Sequence, residues 1–221
     1  MQKNPALAQR VQQSARKVFE LKQKIGLLDA STTVPRATEK AYLAALEKIS
    51  QRAVTLIRDR HQMLPYKAPA SQDKKPTVCA VFFAPSRFAD QLAAFTKPFL
   101  EKGWDVHTYN AAFTPKNIDK KRARECAKGA DLVVLGSLQW ADKTNLSQKD
   151  ALVALLKEYP QAIVISTMSP YDIVRYPQAD TLLATYGINK YVLKTVADVI
   201  LGNQKAVGTL PVQLSDEEAK K

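Results

Sequence analysis

The chain has 221 residues, and its 46% hydrophobic and 24% charged residues exclude a disordered protein and indicate one globular domain, or a domain with an appendage. No stretch approaches the roughly 18 to 20 consecutive apolar residues of a membrane span, and the first five residues lack the apolar core of a secretion signal. The net charge of +12 raises nucleic acid as a partner. Residues 1–76 carry 15 Lys and Arg against 6 Asp and Glu, and residues 77–221 carry 18 against 15. The positive excess is thus spread over the first third of the chain, which leaves nucleic acid as a minor alternative.

The first third of the chain predicts two helices and a short strand. Residues 4–25 place apolar side chains at three- and four-residue steps, and Gly26 is positioned to end the helix. A polar linker follows, with a second helix over 37–51 and a strand candidate over 53–57. We expect a terminal helix in residues 1–29, and the linker, helix and strand in residues 30–76.

From Thr77 onward, apolar runs alternate with helical periods, which indicates an α/β domain over residues 77–221. Two of the runs, 132–135 and 163–166, are continuously apolar, as in a parallel sheet buried on both faces. Repeated strand–helix units predict a three-layer, Rossmann-like sandwich with a mostly parallel sheet. The predicted strands are Val78–Phe83, Asp105–Tyr109, Leu132–Leu135, Ile163–Ser166 and Thr181–Thr185.

The loop after the first of these strands lacks the features of a nucleotide site. Residues 84–88 contain no glycine, so neither a dinucleotide fingerprint nor a phosphate loop is present. The start of the following helix could attract an anion with the help of Arg87. The interpretation we prefer is that Ser86 caps the helix and Arg87 is a surface charge. No cofactor is predicted.

The cysteines and histidines do not form a recognisable site. Cys79 and Cys126 have no CxxC spacing and no histidine nearby, so we predict two buried free thiols and no metal site. His61 is placed in a loop and His107 in a strand, and the sequence brings neither beside a nucleophile or an acidic partner.

Cleavage of a glycosidic bond would require two carboxylates on facing loops. Asp142, Asp172 and Asp180 are candidates by position, and Asp172 is the best of them because it follows a strand closely. An aspartate in the first turn of a helix is also an ordinary stabilising charge, and this is the interpretation we favour.

Several phrases, in the right order along the chain, resemble those of family 3 glycoside hydrolases. Residues 11–29 resemble the last helix of that family's catalytic barrel, and residues 49–65 resemble the segment that opens its second domain. The closing part is similar in several phrases, among them Ser169-Pro170-Tyr171-Asp172, Ala184-Thr185-Tyr186-Gly187 and Gly208-Thr209-Leu210-Pro211-Val212. The first of these looks most like the β-N-acetylhexosaminidase branch.

The resemblance implies the accessory C-terminal α/β domain of a hydrolase that acts on N-acetylglucosamine-containing glycans. In that branch the aspartate nucleophile and a His–Asp acid/base pair lie on the barrel, and neither His61 nor His107 matches the histidine phrase. This chain is therefore expected to hold no catalytic residue. The barrel domain, in the same parent chain or separate, is the expected partner. A secretion signal on the parent's amino terminus would then not be part of this sequence. The cellular compartment is therefore not predicted, although the cytoplasm is slightly favoured.

The alternative is a stand-alone carbohydrate- or anion-binding module. The module would bind its ligand through residues at the carboxyl ends of the strands: Arg87, Ser137, Gln139, Tyr171 and Asp172. Under the first hypothesis the same residues would contact the other domain. We also expect the apolar stripe of residues 5–25 to pack on a second copy or on the α/β domain, so that a variant beginning at Thr38 is more monomeric. No membrane contact is expected.

Overall fold

The computed structural model describes residues 4–28, 38–69, 74–140 and 146–213, and the chain forms two compact units, Met1–Tyr42 and Leu43–Lys221. Short 3-10 helices cover Ser86–Phe88 and Pro170–Arg175. The helices and strands are, in order, α1 (Pro5–Lys24), α2 (Glu39–Ala53), β1 (Thr55–Asp59), β2 (Thr77–Phe83), α3 (Ala89–Glu101), β3 (Asp105–Ala111), α4 (Asn117–Ala127), β4 (Leu132–Ser137), α5 (Leu146–Glu158), β5 (Ile163–Ser166), β6 (Thr181–Ala184) and α6 (Lys190–Ile200).

Helix α1 of the first unit begins and ends with recognisable caps. The Asn4 side chain accepts a hydrogen bond from the Leu7 amide, and Pro5 occupies the first turn. At the other end Gly26 has a φ of 72°, and the Leu27 amide donates to the Lys22 carbonyl, as in a Schellman motif. The helix predicted over residues 4–25 is therefore present, although no residue of α1 is buried.

The second unit contains one six-stranded sheet in the order β1-β6-β5-β4-β2-β3. Every neighbouring pair is parallel except β1 and β6, which confirms the mostly parallel sheet predicted from the sequence. The strand candidate over 53–57 lies two residues further along, because α2 continues through Ala53.

Helices cover both faces of the sheet, which confirms the three-layer sandwich. On one face α3 and α6 bury large side chains, including Phe95, Phe99 and Val196, against the sheet. On the other face α4 and α5 contribute Ala123, Leu152 and other buried residues. In the sheet, β3 and β4 are the two neighbours of β2, one on each side of it. The strand order therefore reverses its direction between β2 and β4.

Cys79 and Cys126 are joined by a disulfide, with Cα atoms 5.7 Å apart, so the prediction of two free thiols was wrong. Helix α4 carries the small residues Ala123 and Ala127 on its buried side, and they let the helix lie close to the sheet. Cys126 of α4 thereby reaches Cys79 of β2. A separation of 47 residues hides this pairing from the sequence.

Candidate functional site

The carboxyl ends of β2, β4 and β5 meet at one edge of the sheet, where parallel α/β folds most often bind ligands. Residues 84–88 follow β2, residues 138–140 follow β4, and residues 167–171 follow β5. We call this surface the strand-end face. All five residues that the sequence analysis selected lie on it or directly behind it.

One buried amide, that of Gln148 on α5, holds the loops of the strand-end face in place. Its Oε1 accepts from the Leu138 amide at 2.9 Å and from Gln139 Nε2 at 3.3 Å. Its Nε2 donates to the carbonyls of Phe83 and Phe113, at 3.2 and 3.0 Å. Gln148 is fully buried, so it ties together the ends of β2 and β4 and the loop after β3.

Sequence reasoning missed Gln148. The signal that could have found it is a glutamine at a position of α5 that otherwise faces the core, four residues before Leu152. A buried amide requires several partners, and the ends of parallel strands offer free backbone groups.

Behind the strand-end face, Ser137 of β4 donates a hydrogen bond from its Oγ to Asp172 Oδ2. Both side chains are closed to solvent, with exposures of 0% and 1%. Burial raises the pKa of Asp172 to about 6, while the Ser137 hydrogen bond and the Arg175 charge act in the opposite direction. Burial, and then the charge of Asp172, hold the pKa of Tyr176 well above its usual range.

The polar groups around Asp172 are incompletely paired. Among the described residues, Asp172 Oδ1, Arg175 Nη1 and the Tyr176 hydroxyl are inaccessible and have no hydrogen-bond partner. An ionised carboxylate is expensive to bury under such conditions, which accounts for the raised pKa of Asp172. Because no solvent reaches Ser137 or Asp172, this serine–aspartate pair cannot act on a substrate as it stands, and we interpret it as structural.

The structure brings only some of the selected residues together. Ser137 and Asp172 are bonded to each other, and Gln139 is buried beside Gln148. Arg87 is exposed, and its guanidinium lies 4.9 Å from the centre of the Phe88 ring.

Tyr171 is likewise on the surface, with 44% of the residue exposed. No hydrogen bond among the described residues joins Arg87 or Tyr171 to the buried group. The strand-end face therefore presents an arginine and a tyrosine to solvent above a closed polar network.

The other candidate carboxylates do not pair with Asp172. Asp180 directly precedes β6, at the end of the parallel strands opposite to the strand-end face. The length of this four-residue strand, about 13 Å, separates the two ends. Asp180 bonds Arg60 at 3.0 Å and His61 at 3.2 Å, and the Arg60 hydrogen bond lowers the pKa of Asp180. Asp142 lies outside the described residues.

The remaining histidine forms an exposed surface pair, with His107 Nε2 at 3.3 Å from Asp105 Oδ2. Within residues 4–28, 38–69, 74–140 and 146–213, no group of three or more His, Cys, Asp or Glu could hold a metal ion. No helix in those ranges is long and apolar enough to cross a membrane.

Arg58 and Asp59, at the end of β1, both make hydrogen bonds inside the domain. Arg58 Nη1 donates to the carbonyls of Tyr176, Pro177 and Ala179, at 2.8 to 3.2 Å. Asp59 accepts hydrogen bonds from two backbone amides and from the Thr181 hydroxyl. These hydrogen bonds hold the segment that leads into β6.

No protein-family profile and no curated protein matches the sequence. Solved structures do match the fold. A glycoside hydrolase family 3 β-N-acetylglucosaminidase from Paenibacillus sp. str. FPU-7 superposes with a TM-score of 0.65 at 23% identity, over 92% of this chain and 39% of that one. A β-glucosidase from Listeria innocua gives 0.62 at 14% identity, over 87% and 31%.

A third structure, a β-glucoside phosphorylase, gives a TM-score of 0.60 at 17% identity, over 93% of this chain and 38% of that one. The chain thus spans less than half the length of the proteins it resembles. At these identities the likeness establishes the fold, and this fold matches the family resemblance of the sequence.

Proposed function

We propose that the chain is the accessory α/β domain of a family 3 glycoside hydrolase acting on N-acetylglucosamine-containing glycans, with β-N-acetylhexosaminidase as the parent activity. The observation that carries this proposal is the extent of the fold likeness. It takes in 92% of this chain but only 39% of the Paenibacillus enzyme, which leaves room in the parent protein for a separate catalytic domain.

The choice of substrate rests on two supporting observations. The phrase Ser169–Asp172 resembles the hexosaminidase branch, and of the three structures compared above the N-acetylglucosaminidase has the highest identity and TM-score. The other two are a β-glucosidase and a phosphorylase, so the substrate is the part of the proposal that most needs a test.

The chain alone is proposed to be inactive. Glycosidic cleavage uses two carboxylates that face the scissile bond from either side, about 5 to 9.5 Å apart. Asp172 is closed to solvent, and Asp180 lies at the opposite end of the parallel strands. The described residues therefore offer no such pair around a cleft.

The test is an assay of the chain alone with nitrophenyl β-N-acetylglucosaminide and nitrophenyl β-glucoside. We expect no release of nitrophenol above the rate without protein. Turnover that is lost in Asp172→Asn but kept in the exposed control Asp105→Asn would instead place an active site in this domain.

The reading frame before Met1 supplies the complementary test. We expect it, or a neighbouring gene, to encode a barrel with the nucleophile and the His–Asp pair. If no barrel is encoded there, the accessory role fails and the binding-module hypothesis takes its place.

The second candidate, a carbohydrate- or anion-binding module, is favoured by the exposed Arg87 and Tyr171 on the strand-end face. It requires saturable binding of N-acetylglucosamine, muropeptides or phosphate in calorimetry. That binding should weaken in Arg87→Ala or Tyr171→Ala but not in the distant control Lys157→Ala. Absence of binding to all three ligands would eliminate the module hypothesis.

A further inference from the structure

Strand β3 forms one edge of the six-stranded sheet, and the outer side of its backbone has no hydrogen-bond partner among the described residues. The Asp105 amide donates to the Pro76 carbonyl, and the Ala111 carbonyl accepts from the Ala84 amide. In a parallel ladder these contacts direct the backbone groups of every second residue, from Asp105 to Ala111, towards β2. The backbone N–H and C=O groups that point away from the sheet are therefore those of Val106, Thr108 and Asn110.

This edge lacks the features that usually prevent two sheets from joining. Edge strands are commonly short, bulged, or protected by Pro or Lys. The opposite edge strand, β1, has five residues and an irregular register between Leu56 and Arg58. In contrast, β3 pairs with β2 over seven consecutive residues without interruption. It contains no Pro, Lys or Arg, and its one carboxylate is at its first residue, Asp105. A strand of this kind is a template for the addition of another strand.

The helix next to this edge leaves room for an added strand. A cleft of about 220 Å³ lies between α3 and the carboxyl end of β3. On the helix side it is lined by the small residues Ala89, Ala93 and Thr96, and on the strand side by Thr108 and Asn110. The cleft therefore has space for an apolar side chain of a strand laid beside β3.

The outward residues of β3 are self-complementary about Thr108. When two β3 strands run antiparallel across a two-fold axis at this residue, Thr108 lies opposite Thr108 of the second copy. Val106 of each copy then lies opposite Asn110 of the other. Each of these pairs joins outward-facing groups, so each exchanges two backbone hydrogen bonds. The Val106 side chain of each copy also comes to lie next to the cleft of the other copy, which Asn110 lines.

The side chains on the other face of β3 are compatible with this pairing. Asp105 lies opposite Ala111 of the second copy, and His107 lies opposite its Tyr109. Ring pairs across two strands are stabilising, whereas like charges directly opposite each other are destabilising, and no like charges meet in this register. The residues of β3 itself therefore satisfy the edge, and two-fold dimers are the commonest oligomers of soluble proteins.

We propose that two copies of the chain associate through β3, antiparallel about a two-fold axis at Thr108, so that their two six-stranded sheets become one continuous sheet. The occupant of this edge is a second copy of the chain and not a strand of another protein. The inference goes beyond the proposed function, because it requires neither a barrel domain nor a glycan.

Light scattering of the full chain, between about 1 and about 100 µM, tests whether this dimer exists. Salt at about 150 mM limits the repulsion between positive charges elsewhere on the chain, because the Debye length is then about 8 Å. We expect the parent to dimerise and Thr108→Pro to dimerise at least about a hundredfold more weakly, because it loses the N–H at the axis. Proline is tolerated at an edge position whose N–H faces solvent, so the variant should keep the parent's Tm. The control Thr108→Ser, which keeps the N–H, should dimerise like the parent.

A pair of charged variants tests whether Thr108 faces itself across the axis. Thr108→Lys and Thr108→Glu should each dimerise more weakly than the parent, because two like charges then lie opposite each other. An equimolar mixture of the two variants should form a heterodimer at least about fivefold tighter than either homodimer, because opposite charges then face each other.

Cross-linking tests the same contact by distance. Directly opposite, hydrogen-bonded residues of antiparallel strands have Cα atoms about 5.5 Å apart, within the range of a disulfide. Cys79 and Cys126 are bonded to each other, so the thiol introduced by Thr108→Cys has no competitor in the chain. On oxidation this variant should form a covalent dimer. The exposed control Asp105→Cys should not, because the two copies of residue 105 are about 20 Å apart along the paired strands.

Four outcomes would overturn the proposal: a parent chain that is monomeric at about 100 µM, a folded Thr108→Pro that dimerises as tightly as the parent, equal cross-linking of Thr108→Cys and Asp105→Cys, or a dimer that Val18→Asn in α1 dissolves and Thr108→Pro does not. If Thr108→Pro fails to fold, the charged pair and the cross-linking decide. None of these measurements depends on nitrophenol release or on the reading frame before Met1. The inference and the proposed function can therefore fail separately.

Discussion

At the scale of single residues, Asp172 links the buried network to pH. Its pKa of about 6 in the folded protein lies above the ordinary value of 3.8, so the folded state holds this proton more tightly than the unfolded state does. The stabilising contribution of the protonated carboxyl is complete below about pH 3.8 and is lost as the pH rises through about 6. A shift of this size corresponds to roughly 3 kcal/mol.

We expect Asp172→Asn to remove this pH dependence. The asparagine oxygen still accepts the Ser137 hydrogen bond, but no charge has to be buried at neutral pH. In urea unfolding, the variant should be more stable than the parent at pH 7, by about 2 to 3 kcal/mol, and nearly equal at pH 4. Asp105→Asn, at an exposed site, is the control. Parallel curves for the parent and Asp172→Asn across this range would contradict the assignment.

Among the described residues, Gln148 holds its surroundings through four hydrogen bonds. Gln148→Leu keeps much of the volume but removes the hydrogen bonds that the amide makes to buried backbone groups at Phe83 and Leu138 and to the carbonyl of Phe113. We expect a loss of about 2 to 4 kcal/mol in the free energy of unfolding, at about 1 to 3 kcal/mol for each unsatisfied group with partial relaxation. Gln161→Leu, on the surface, should change it by less than about 0.5 kcal/mol. A neutral Gln148→Leu would mean that these loops find other partners.

At the scale of elements, the strands were predictable because a parallel sheet buried on both faces requires unbroken apolar runs. Both β4 and β5 are buried along their whole length and begin with such a run, and each ends in a buried serine. Contacts between distant elements were not predictable. The Cys79–Cys126 bond and the Ser137–Asp172 hydrogen bond, 35 residues apart, depend on which strand α4 crosses and on where the loop after β5 turns. Hydrophobic periodicity carries no information on either.

The disulfide fastens α4 to β2 and closes a loop of 47 residues. A cross-link of that span is expected to contribute roughly 4 kcal/mol to stability. Disulfides are rare in the cytosol, so this bond weighs against the cytoplasm that the sequence favoured. In thermal unfolding, the double variant Cys79→Ala, Cys126→Ala should have a lower Tm than the parent under oxidising conditions, and thiol reductant should lower only the parent's Tm. If reductant has no effect on the parent, the bond is absent in solution.

At the scale of the whole molecule, the two compact units lead to different expectations for stability. No residue of α1 is buried, whereas the sheet and its four covering helices contain the core. A variant that begins at Thr38 should therefore unfold cooperatively, with a Tm within a few degrees of the full chain, because the buried apolar area that sets stability is retained. Differential scanning calorimetry of the variant and the full chain under the same conditions measures this difference. If the variant fails to fold, the residues before Thr38 belong to the folding unit itself.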